Sequence, residues 1–186
     1  MPSGYTSGFA AAILYDVAVL YKGNTKFGVS LGGLTFNPEG EIRQVEFDGR
    51  RSEIQGLHRY ISQGGTIEGE FLFTAEDMIL DLMPGSTSRT SGLPGNVTSR
   101  IQGKDSSVLF EDDEYIADLR MVAARGDDWF EVHFEAALCK TWTWTTPDKD
   151  EQKARATFSA CLTSGRAASS TDTPPVYFQV LSAVTS

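Results

Sequence analysis

Residues Tyr115 to Leu138 constrain this chain more than any other stretch, because they read as a β-hairpin whose register is written on both faces. Gly126-Asp127 suits a two-residue type II′ turn, glycine supplying the positive φ that the turn requires. Ala123 then faces Phe130, Met121 faces Val132, Leu119 faces Phe134, Ala117 faces Ala136 and Tyr115 faces Leu138, every pair apolar. On the opposite side Val122 meets Glu131, Arg120 meets His133 and Asp118 meets Glu135. Successive side chains point to opposite faces, so a slip of one residue would turn every apolar side chain into water. A chain built around this hairpin is expected to be mainly antiparallel β.

A second stretch joins a strand to the only convincing helix. In Thr66 to Phe73, Ile67, Phe71 and Phe73 share one face while Thr66, Glu68 and Glu70 share the other, the period of a half-buried strand. Thr74 stands at a helix N-cap with Asp77 three residues on, and Phe73 and Met78 occupy the two positions of a hydrophobic staple. Glu76 and Asp77 place negative charge at the positive end of the helix dipole. Ala75, Met78, Ile79, Leu82 and Met83 form one apolar stripe, and Pro84-Gly85 stops it, giving a helix over about residues 75–83.

Further strands are expected within 10–21, where Ala11 to Tyr15 also suits a short helix, and over 28–36, 41–48, 140–144, 154–162 and 176–181. Residues 50–63 read as a polar connection in which Ile54, Leu57, Tyr60 and Ile61 have a weak helical spacing. Residues 85–104, dense in Ser, Thr, Gly and Pro, form a loop of a length that is uncommon inside a compact domain unless it has a role. Residues 165–186 read as a C-terminal arm tipped by a strand, able to pair at home or on a neighbour's sheet edge. No repeat or second domain is evident, so residues 1–186 are expected to form one domain, large enough to bury about 70% of its unfolded surface.

Charge and composition narrow the function. The formal net charge is −9 and the pI about 4.7, which disfavours specific docking on phosphate backbones. No apolar run approaches the roughly 20 residues that span a membrane. Phe9 to Leu14 is apolar but has no Lys or Arg before it, so a signal peptide is not expected and synthesis in a cytoplasm is. Cys139 and Cys161, both in strand-like segments, read as free thiols; no framework spacing supports a disulfide.

Candidate chemistry is sparse. Glu131, His133 and Glu135 alternate on one strand, where side chains about 6.6 Å apart diverge and do not converge on one ion. Glu68 and Glu70 have roughly the separation of paired glycosidase carboxylates, without an aromatic platform beside them. Arg125-Gly126-Asp127 is explained by its turn, Glu111 to Glu114 lacks the glycine of a calcium loop, and Asn96-Val97-Thr98 has no secretory context. There is no glycine-rich phosphate loop and no Gly-x-Ser-x-Gly. No cofactor or metal site is expected.

Three features resemble the major tail-tube proteins of long-tailed bacteriophages with non-contractile tails. They are Gly33-Leu34-Thr35-Phe36-Asn37-Pro38 leading into Glu41-Ile42-Arg43-Gln44-Val45-Glu46-Phe47-Asp48-Gly49, a linker through Gly56-Leu57, and the Glu68–Glu70 strand running into a helix that ends Met83-Pro84-Gly85. The resemblance spans about residues 27–85, with looser support to about residue 165. It implies a β-sandwich or barrel-like fold with one flanking helix, assembled as hexameric rings stacked into a tube that conducts DNA. It also implies a place in the virion, with further copies of the chain, a tape-measure protein, and terminator and tip proteins as partners. On that reading Glu68, Glu70, Asp118, Glu131, His133 and Glu135 are candidates to face an acidic lumen. Ser86, Arg89, Leu93, Asn96 and Arg100 are candidates to contact a neighbouring subunit or ring. A monomeric β-sandwich binding module and a hydrolase using Glu68 and Glu70 are the alternatives.

Overall fold

The computed structural model describes residues 18–44, 58–72, 76–105, 107–125, 128–146, 151–163 and 175–182. The Thr74 cap, Phe73 of the staple, the Gly126-Asp127 turn and most of the strand expected over 10–21 lie outside the described residues. Among the described residues there are ten strands: β1 Val19–Lys22, β2 Thr25–Lys26, β3 Val29–Gln44, β4 His58–Leu72, β5 Thr87–Arg89, β6 Arg100–Gln102, β7 Ile116–Arg125, β8 Asp128–Thr145, β9 Lys153–Cys161 and β10 Val176–Ser182. One α-helix, α1 Glu76–Leu82, follows β4, within a residue of each end of the helix the sequence calls for. The chain is mainly β, with one small flanking helix.

Eight strands form one antiparallel sheet in the order β2-β1-β7-β8-β9-β4-β3, with β10 paired to β8 beside that path. The ladder alone would separate β3 from β8 by two strands. Yet Phe36 on β3 and Phe134 on β8 meet edge to face with ring centroids 6.1 Å apart, so the sheet folds over on itself. Leu20, Ile67, Phe71, Leu119, Phe134 and Phe158 fill the space between, each 1% exposed or less. Phe27, between β2 and β3, packs edge to face on Phe71 at 5.3 Å and on Phe158 at 5.1 Å. Burying each such ring stabilises the fold by roughly 1.5–3 kcal/mol. Met78 and Leu82 of α1 close one end of this core, and a 2.5 Å ion pair from Lys22 to Asp81 ties the helix to β1.

The β7–β8 hairpin has the register its two faces dictate: Ala123 pairs with Phe130, Met121 with Val132, Leu119 with Phe134 and Ala117 with Ala136. The faces, however, change sides partway along. Leu119 is fully buried, and so is Ile116, an odd spacing that alternation forbids in a regular strand. Between them Asp118 has φ +55°, the only non-glycine positive φ among the described residues. That left-handed residue rotates the strand, so beyond it Ile116 and Ala137 enter the core while Ala117 is exposed. The expected Tyr115–Leu138 pair is absent from the ladder, which ends at Ile116 and Ala137.

Two further expectations are corrected. The strands read over 28–36 and 41–48 are continuous through residue 44, and Pro38 sits inside β3. Proline is tolerated there because, among the described residues, β3 pairs only with β4, leaving its missing N–H on the open side. Residues 58–63, read as part of a polar connection, belong to β4 and pair with β3 in a ribbon that runs beyond the β9 pairing. A weak helical spacing loses here to a long cross-strand ladder.

Candidate assembly surfaces

The sheet presents its edges very differently. β3 is blunted by Pro38, by Glu39 and Glu41, and by register shifts between Leu31 and Leu34 and between Glu41 and Ile42. These are the devices that keep an edge from pairing with strangers. β10, with sequence Val-Tyr-Phe-Gln-Val-Leu-Ser, has no charge, no proline and no break in its seven-pair register with β8. Among the described residues it pairs on one side only. Its residues Phe178 and Val180 lie opposite Val132 and Phe130, on the face that is core elsewhere, yet each is 60% exposed. Phe178 packs edge to face on Phe36 at 5.2 Å, and with Pro38, Ile42 and Val176 these rings line an open groove of about 350 Å³.

The solvent side of β3, β4, β9 and β8 is organised in rows. Thr35, Glu68, Thr157 and Thr141 follow one another across the four strands, as do Leu31, Glu70, Arg155 and Thr143. Glu68 and Glu70 are half-buried on this face. Glu70 stands directly across from Arg155, a pairing the alternation of one strand could not disclose. The face is therefore rich in hydroxyls, with mixed charge.

The second expected acidic face is arranged otherwise. One row runs Lys26, Tyr21, Arg120, His133 and Tyr177 across five strands, and its neighbour runs Val19, Val122, Glu131 and Gln179. Val19, Tyr21, Val122 and Glu131 are each 3% exposed or less, so this side is a second interior. Glu131, at 3% exposed, is removed from the solvent-lined surface of the single chain. His133 carries its imidazole between carboxylates: Nε2 lies 2.6 Å from Asp118 Oδ1, and Nδ1 lies 4.0 Å from Glu131 Oε1. Neither ring nitrogen is aligned for a hydrogen bond, so these contacts act through charge alone when the ring is protonated. Tyr177 of β10 packs edge to face on the imidazole at 4.4 Å. Arg120 reaches Asp118 Oδ1 at 3.2 Å and donates from Nη2 to the Gly23 carbonyl and to Asn24 Oδ1. Burial pushes the Tyr21 hydroxyl up to about 12 despite the opposing charge of Arg120. The expected Asp118–Glu135 pair is absent from the ladder at the kink, where the Asp118 side chain is 45% exposed and Glu135 half-buried.

The 85–104 loop contains structure of its own. The turn that follows α1 closes at Gly85, φ +70°, with the Ser86 amide donating to the Met83 carbonyl at 3.0 Å. β5 and β6 then form a separate two-stranded ribbon in which Arg89 pairs directly with Arg100. Asn96 is exposed and Leu93 half-buried in the connection between them. The following segment is anchored by a 2.5 Å Lys104–Glu114 ion pair, and it leaves Leu109 88% exposed. Cys139 is buried and Cys161 half-buried, both free thiols, and burial pushes the Cys139 thiol up to about 12. Among the described residues no helix is long and apolar enough to cross a membrane.

No protein-family model matches this chain, and no curated protein matches it in sequence. Among solved structures, a chain of the extracellular contractile injection system PVC sheath-tube complex in its extended state is similar at 10% identity and TM-score 0.46, over 95% of this chain and 99% of that one. A chain of the tail of an empty gene transfer agent particle, refined with C6 symmetry, is similar at 10% identity and TM-score 0.43, over 80% of this chain and 92% of that one. A chain of the native gene transfer agent virion is similar at 12% identity and TM-score 0.42, with the same coverage.

Proposed function

We propose that this chain is a structural, non-enzymatic subunit that associates with identical copies, as the tube of a phage-like tail. The observation that carries this reading is the undefended β10 edge, flanked by Phe178 and Val180 on a face that is core elsewhere. A lone soluble protein blunts such an edge, as β3 is blunted here, whereas one destined for pairing leaves it open. An open edge on one copy and a different surface on the next make a heterologous contact, which closes into rings when the rotation permits.

Within this reading, copies form rings, hexameric as the resemblance implies, and rings stack into a tube through which DNA passes. Glu68 and Glu70 line the bore within the threonine-rich face of β3, β4, β9 and β8, and Asp118 and Glu135 lie near its kink. Hydroxyls and scattered carboxylates suit a wall along which a phosphate backbone slides without being held. Glu131 and His133 instead brace the subunit. The expected partners are further copies, a tape-measure protein and the terminator and tip proteins, in a virion assembled after synthesis in the host cytoplasm.

Negative-stain microscopy and sedimentation of the full chain at high concentration test the proposal. Rings or tubes that vanish on Phe178→Asp support it. A strict monomer at every concentration would overturn it and favour a self-sufficient binding module.

A further inference from the structure

The ribbon of β5 and β6 is separate from the main sheet and exposed except for Ile101. It sets Arg89 directly across from Arg100. Like charges opposed on an antiparallel pair are destabilising, so the arrangement is unfavourable unless something else uses it. Among the described residues neither guanidinium has an ion pair, although acids outnumber bases 25 to 16. The connection between the two strands carries Val97, 44% exposed, and half-buried Leu93, and Ile101 of β6 is half-buried.

A complementary surface exists elsewhere on the same molecule. Val108, Leu109 and Phe110 are 52, 88 and 41% exposed and run directly into Glu111 and Asp113, both exposed on a single 3-10 turn. Lys104 is taken up by Glu114, and among the described residues neither Glu111 nor Asp113 has an ion pair. The ribbon carries two opposed cations beside half-buried Ile101; the shelf carries two anions beside exposed apolar side chains.

We infer that the Arg89–Arg100 ribbon docks on the Leu109–Glu111–Asp113 shelf of a second copy. Charge complementarity selects this occupant. Two arginines on a chain of net charge −9 neutralise too few phosphates to hold a nucleic acid against that field. The inference rests on the self-association proposed above and adds a second contact, distinct from the β10 edge.

The test is a charge swap in the full chain, read by sedimentation velocity, with thermal unfolding as the control for folding. R89E/R100E and E111K/D113K should each keep the wild-type unfolding midpoint and each self-associate about tenfold more weakly or worse. Mixed in equal amounts they should recover association, and high salt should weaken the wild type. Because every site is exposed the variants are expected to fold; should reversal unfold the ribbon, R89Q/R100Q removes the charge without adding the opposite one and should weaken association in the same direction. Association of R89E/R100E equal to wild type, or a mixture that stays dissociated, overturns the inference. So does short duplex DNA that binds wild type and not R89E/R100E while self-association is unchanged, since that assigns the pair to nucleic acid. A wild-type chain that never associates sinks the underlying reading as well, whereas an associating one indifferent to Arg89 and Arg100 sinks this contact alone.

Discussion

Asp118 Oδ1 lies 2.6 Å from His133 Nε2, and the same oxygen lies 3.2 Å from Arg120 Nε. One carboxylate thus compensates two nitrogen-bearing side chains from neighbouring strands. It does so from a left-handed backbone whose carbonyl also accepts a hydrogen bond from the Gly23 amide at 2.8 Å. The residue that turns the sheet is the residue that neutralises the charge buried beside the turn. Aspartate is among the few non-glycine residues that tolerate this φ, because its short side chain bonds locally.

Substitution at Asp118 separates the two roles. Both Asp118→Gly and Asp118→Val lose the carboxylate, but only valine meets the left-handed penalty. Asp118→Val is expected to be less stable than Asp118→Gly by about 1–2 kcal/mol in urea unfolding.

Gly69 is fixed by packing, with no unusual φ. A Cβ there would stand 2.3 Å from Leu34 Cδ2 and 2.9 Å from the Phe71 ring. Gly69→Ala is expected to destabilise the fold by about 1–3 kcal/mol, as overpacking does, measured from the shift in denaturation midpoint.

Phe158 is fully buried where β9 crosses the core against Phe27 and Phe71. Truncation to alanine should cost about 3–5 kcal/mol, a large fraction of a typical domain's stability. The expected readout is loss of a cooperative thermal transition at physiological temperature.

Val180→Lys restores to β10 the charge that its edge lacks. Monomer stability should change by no more than about 1 kcal/mol, since the side chain is 60% exposed. Self-association by sedimentation should be lost, because an edge lysine must be desolvated on strand pairing.

Alkali should destabilise the protein over a defined window. Cys139 is raised from 9.0 to about 12 and Tyr21 from 10.0 to about 12, in both cases chiefly by burial. The unfolded chain therefore releases these protons at lower pH than the folded one, so stability is full below about pH 9 and falls towards pH 12. Urea midpoints across this range should fall less steeply in Tyr21→Phe than in wild type.

Legibility differed by element. The β7–β8 register could be read because two faces vote on it, and α1 because an apolar stripe, acidic start and Pro-Gly stop agree. β9 was visible in the alternation of Ala154, Ala156 and Phe158. The β4 extension over 58–63 was not, since its pattern has no strong period and its partner strand supplies the stabilisation. The Arg89–Arg100 pairing was equally hidden, because eleven positions separate the two and nothing local records that they oppose.

By itself the sequence determined a mainly antiparallel β chain with one helix, because side-chain periodicity is a local property that survives without knowledge of neighbours. Tertiary structure alone decided which polar face stays wet. Glu131 and Glu68 occupy equivalent places in equally alternating strands, yet Glu131 is 3% exposed and Glu68 half-buried. Burial of a face depends on what folds across it. That is set by the left-handed turn at Asp118 and the closure of the sheet on itself, and neither can be computed from one strand.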